Sequence, residues 1–157
     1  NEGNEKPFEA EAYAQTLRQS VTQLRQMFPQ AACMLIGPGD RGILVPRSRQ
    51  AKGSTKKSST LATTARKPKE VVNLLKYSTV HAQITRIQQT VGAETGCQVW
   101  SMMQAMGGRA SAYTWVRQRP QLMANDLIHF TVPGYQRLAQ SFAEDMGWKP
   151  QALWLAP

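Results

Sequence analysis

The chain has 157 residues, with 19 Lys and Arg against 10 Asp and Glu, 2 Cys, 11 Gly and 9 Pro. At 41% apolar residues it has the composition of a single globular domain rather than of a disordered segment. Apolar runs stay well short of the roughly 20 residues that span a bilayer, and no secretory signal stands at the front. Its 2 cysteines are too few for a disulfide-stapled miniprotein, and the first residues do not read as a natural beginning.

The net charge of +9 is unevenly spread. Arg47, Arg49, Lys52, Lys56, Lys57, Arg66, Lys67 and Lys69 fall in one stretch with no acidic residue. The remainder carries 11 basic and 10 acidic residues, so the basicity belongs to a segment and not to the fold. That stretch, 47–69, is rich in Ser, Thr, Lys and Arg and nearly lacks large apolar side chains, and it lies in a loop of about 41–69. It cannot bury enough surface to offset its ordering entropy, which predicts a mobile surface loop. A loop of this kind on nucleic acid or an acidic polymer would make the chain a non-catalytic binding module. The interleaved aromatics of single-strand binders are missing, so no nucleic-acid partner is expected.

In chain order, Tyr13, Leu17, Val21, Leu24 and Phe28 recur at helical steps and predict a helix over 8–28, ended by Pro29. The unbroken run AACMLIG then reads as a short strand buried on both faces, as in a parallel sheet, ending in Gly37, Pro38, Gly39 and Asp40. Leu74, Leu75, Ile84, Ile87 and Val91 predict a second helix over 71–91, bracketed by Gly92 and Gly96. A second strand follows from Cys97 to Ser101. The last helix spans about Pro133 to Met146, with Thr131 as its cap, Pro133 in its first turn and Gly147 as its stop. This alternation is that of an α/β layered chain with a parallel sheet, and two strands make only part of one.

Few residues carry chemistry. His81 lies inside the second helix with no ligand-spaced partner and reads as a packing or surface histidine. His129 lies in NDLIHFTVPGY, three residues after Asp126 and just ahead of the last helix. In a turn, residues three apart project to one side, so the carboxylate can reach the imidazole. A carboxylate on one ring nitrogen fixes the tautomer and leaves the other nitrogen free as a general base. The pair is either two-thirds of a serine-hydrolase triad or a surface ion pair near a helix terminus. As metal ligands the two lack further partners at a recognisable spacing, so no metal is expected. Cys33 and Cys97, in the expected strands, read as small packing residues, with a thiol nucleophile paired to His129 a distant second.

The run DLIHFTVPGYQRLAQ resembles the last block of the SGNH, or GDSL-type, hydrolases, which supplies the catalytic Asp and His. Trp100, Gln104, Ala105, Met106, Gly107 and Gly108 are similar to a stretch upstream of it in the bacterial peptidoglycan O-acetylesterases of that family. Asn1 and Glu2 resemble the end of a Gly-Thr-Asn-Glu block. The resemblance is strongest from 97 to 147 and does not reach 41–69.

It implies a three-layer α/β/α, flavodoxin-like domain, of which residues 1–157 are the C-terminal portion. Asp126 and His129 would then be catalytic, Asn1 an oxyanion-hole donor, and Gly107 and Gly108 substrate-binding. The reaction implied is removal of O-acetyl groups from peptidoglycan N-acetylmuramic acid, without metal or organic cofactor, in the periplasm or cell envelope. Acyl transfer between polysaccharides, or hydrolysis of other glycan or small esters, would use the same residues. The family's Gly-Asp-Ser block is absent, and Gly39-Asp40 is followed by Arg41 rather than serine. The nucleophile is therefore expected from an upstream part of the same protein, and the chain alone is expected to be inactive.

Overall fold

The computed structural model of the chain describes residues 7–45 and 72–148. Asn1 and most of the basic segment expected as a mobile loop lie outside the described residues. Among those described, no helix is long and apolar enough to cross a membrane.

Helix α1, Ala10–Met27, and strand β1, Met34–Gly37, come first. Helix α2, Lys76–Thr95, leads into strand β2, Gln98–Ser101. The strands pair in parallel, Met34 opposite Gln98 and Gly37 opposite Ser101. Two short helices follow, α3 at Met102–Ala105 and α4 at Ser111–Trp115, in a stretch where the sequence pattern predicts no element. The last helix, α5, spans Val132–Asp145.

The alternating faces of the sheet explain where the core lies. Leu35 and the neighbouring Cys33 and Cys97 pack with Val21 of α1 and Val91 of α2. On the opposite face Trp100 and Met34 join Met106, Ala112, Trp115, Met123 and Leu138. Trp100 anchors α5 twice: its indole N–H donates to Asp145 Oδ2 at 2.8 Å, and its ring meets Phe142 edge-on at 5.0 Å. A parallel sheet with helices on both sides is thus built from few residues, and the fold is α/β.

Three expectations need correction. Strand β1 is not buried on both faces, because the two-stranded sheet leaves its outer edge uncovered and Ile36 is 52% exposed. The α1 stripe fades for the same kind of reason, with Leu24 and Phe28 exposed beyond the sheet. Cys33 and Cys97 are not separate packing residues: they form a disulfide across a sequence separation of 64. Each cysteine immediately precedes its strand, so the parallel register sets them side by side, with Cα atoms 4.7 Å apart. A thiol nucleophile at either position is thereby excluded.

The close of the chain follows its sequence signals. Thr131 is extended and its hydroxyl accepts the Gly134 N–H at 3.3 Å, capping α5. Gly147, with φ of 68°, stops the helix, and Trp148 N–H returns to the Ala143 carbonyl at 2.8 Å.

Candidate active site

Between α4 and α5 the chain folds back on itself through a bridge between Met123 and Phe130. Inside that bridge lies the turn Asn125 to His129. The Ala124 N–H donates to the His129 carbonyl at 2.7 Å, and the Leu127 N–H to the Ala124 carbonyl at 3.0 Å. Leu127 takes a left-handed conformation, φ of 60°, unusual for a residue with a Cβ, and is itself buried. Such a conformation persists when its surroundings over-determine it.

Asp126 organises the turn from within. Its Oδ1 accepts the backbone N–H groups of Ile128 and His129 at 2.9 and 3.0 Å. Its Oδ2 lies 2.7 Å from His129 Nδ1, so the spacing of three places the two side chains together, in a turn rather than a helix. The His129 hydrogen bond, then those two N–H groups, hold the Asp126 carboxyl at about 2, below its ordinary 3.8. With Nδ1 engaged, Nε2 has no partner among the described residues, and the His129 side chain is 73% exposed. An exposed ring with one nitrogen fixed and the other free can accept a proton from a group brought to it.

Gly107 and Gly108 both need positive φ, 105° and 89°, to close the turn after α3. No hydrogen bond joins either glycine to Asp126 or His129. Gly107 lines a cleft of about 540 Å³ shared with Gln104, Trp115, Leu122, Arg119 and Arg137. Gly108 does not line it. Trp115 links this cleft to the turn, its ring meeting Phe130 at 5.8 Å. The charged residues on the cleft wall are both arginines, Arg119 and Arg137, which lie 18 residues apart in sequence and meet only in the fold.

His81 sits half-buried, as a packing histidine should, with Nδ1 donating to the Gly39 carbonyl at 2.7 Å. Burial pushes its imidazole below the ordinary value. Among the described residues, no cluster of three or more His, Cys, Asp or Glu is placed to hold a metal.

A parallel strand pair flanked by helices, with an imidazole and a carboxylate on the turn before the last helix, is an α/β arrangement. Among solved structures, a peptidoglycan O-acetylesterase is similar, with a TM-score of 0.63 and 22% identity over 94% of this chain and 34% of that one. The chain therefore spans about a third of that protein's length, and at this identity the likeness concerns the fold. No protein-family model matches the chain, and none of the curated proteins matches it.

Proposed function

We propose that this chain supplies the Asp-His part of a Ser-His-Asp triad in an SGNH-type serine esterase. In this reading the enzyme removes O-acetyl groups from peptidoglycan N-acetylmuramic acid. The nucleophilic serine comes from an upstream segment of the same protein, whose strands extend the sheet into a three-layer domain. The observation that carries the reading is the 2.7 Å contact of Asp126 with His129 Nδ1 on a ring whose other nitrogen is free. The half-exposed Ile36 at the sheet edge suits further strands, and the similar esterase fold agrees in class. Disulfides persist in oxidising compartments, so the Cys33–Cys97 bond supports an envelope location.

In the mechanism, His129 Nε2 takes the proton of the serine hydroxyl as its oxygen bonds to the acetyl carbonyl carbon. Asp126 holds the tautomer and stabilises the imidazolium. The tetrahedral intermediate collapses, the sugar hydroxyl leaves with the proton from Nε2, and an acetyl-enzyme remains. Water then loses a proton to the same nitrogen, attacks the acetyl carbon and releases acetate, while the serine recovers its proton.

The test is acetate release from O-acetylated peptidoglycan by protein that includes the serine-bearing segment. His129→Ala should lower turnover by roughly 10²- to 10⁴-fold. Asp126→Asn should also lower it severely, by leaving the wrong tautomer. Unchanged turnover in either variant removes the triad. Residues 1–157 alone should release no acetate above background.

A further inference from the structure

We propose that Asp40, outside the triad, is the positioning residue for the Asp126–His129 turn. Its importance for catalysis rests on the esterase reading, whereas its structural effect does not. Asp40 is 2% exposed, and its carboxylate ties the loop after β1 to two helices. Oδ1 accepts the hydroxyl of Ser78 in α2, and Oδ2 accepts the Ala112 N–H of α4 at 2.9 Å. Its own N–H points to Met106 Sδ at 3.1 Å. A buried carboxylate is costly without hydrogen-bond donors, so these contacts determine where the loop after β1 can sit.

That loop grips the turn two residues later. The Gly42 N–H donates to the Leu127 carbonyl at 3.0 Å, and the Ile43 N–H to Tyr113 Oη at 2.8 Å. Gly42 approaches so closely that a Cβ there would lie 2.8 Å from Leu127 Cδ1 and 2.9 Å from Leu127 Cβ. Leu127 is the left-handed residue between Asp126 and His129. The path therefore runs from Asp40 through Gly42 to Leu127, and from there to the geometry of the ring.

The experiment reads the His129 ring directly, by long-range proton–nitrogen spectra of the labelled chain recorded across a pH series into the alkaline range. The native chain should show hydrogen on Nδ1 and a bare Nε2. Asp40→Ala, Ser78→Ala and Gly42→Ala should each move His129 toward the mixed tautomers of a free imidazole. Asp40→Asn should keep the native pattern, because the Ser78 hydroxyl can turn to accept from the amide while the amide oxygen takes the Ala112 N–H. Val91→Ala, in the opposite core cluster, should lower stability and leave the ring signals unchanged.

Native ring signals in both Ser78→Ala and Gly42→Ala, with a folded amide spectrum, would overturn the proposal even if Asp40→Ala fails to fold. In the serine-containing protein, Asp40→Ala should lower kcat by roughly 10²-fold with KM little changed, and Asp40→Asn should restore it. Failure of the esterase reading would appear instead as unchanged acetate release in His129→Ala, whatever the ring spectra show.

Discussion

Asp126 holds His129 at two points: one carboxylate oxygen meets the ring nitrogen Nδ1 at 2.7 Å, and the other accepts the backbone N–H at 3.0 Å. Either contact alone would leave the ring free to swing or the backbone free to shift. Together they fix both, although the pair is open to solvent.

The first prediction concerns pH. The Asp126 carboxyl is depressed from 3.8 to about 2 in the folded chain, so its contacts stabilise the fold fully only above the unfolded value. That contribution drains away as pH falls from about 4 through about 2, and it does not change at alkaline pH. A carbon-detected carboxyl titration should place the Asp126 midpoint near 2. In His129→Ala the midpoint should rise toward 3.8, because its largest cause has been removed. An unmoved midpoint would mean that the 2.7 Å contact does not persist in solution.

The second concerns how α5 seats beneath the turn. A Cβ added at Gly134 would collide with the Leu122 carbonyl oxygen, whose partner is the Thr131 N–H at 3.1 Å. Backbone cannot yield as a side-chain tip can. Gly134→Ala should therefore cost at least the upper part of the roughly 1–3 kcal/mol typical of overpacking. Urea unfolding would measure it. A loss below about 0.5 kcal/mol would show that α5 can move away from Leu122 freely.

Much of this was legible in the amino-acid order, and the reasons differ by residue. Thr131, Pro133 and Gly147 act locally, so the bounds of α5 could be read from them. The Asp126–His129 spacing was legible because a turn needs only neighbours in sequence. The Cys33–Cys97 bond was missed although both cysteines immediately precede their strands, a register signal that becomes meaningful only once the strands are known to pair. Helices α3 and α4 have 4 and 5 residues, too few for a periodic pattern. Asp40 offered no signal at all, since burial of a carboxylate depends on donors 38 and 72 residues away.

The third prediction follows the cleft beside Gly107. Its charged wall residues are Arg119 and Arg137, and Arg119 already donates to the Gln118 carbonyl at 2.9 Å. Arg137 has no hydrogen bond or ion pair among the described residues, so on the proposed esterase reading its guanidinium is available to a carboxylate of the substrate. In the serine-containing protein, Arg137→Ala should raise KM for acetylated peptidoglycan by about tenfold, the worth of one charged hydrogen bond. A neutral aryl acetate should show no such change. Equal effects on both substrates would assign Arg137 to stability and not to recognition.

The last prediction concerns the covalent tie. The Cys33–Cys97 bond closes a loop that contains α2 and the whole basic segment, with a sequence separation of 64. A cross-link over so long a loop restricts the unfolded chain strongly, and losing a native one costs roughly 2–5 kcal/mol. The cysteines also sit beside Val21 and Val91, so serine at both positions would put hydroxyls against an apolar cluster. Alanine at both is the cleaner substitution. The double variant should unfold at lower urea, and reducing the native chain should shift its midpoint by a similar amount. The Asp126–His129 turn is flanked by Met123 and Phe130 of the other core cluster, so its ring signals should survive reduction wherever the fold does. Identical urea midpoints for oxidised and reduced chain would show that the strand register holds without the bond.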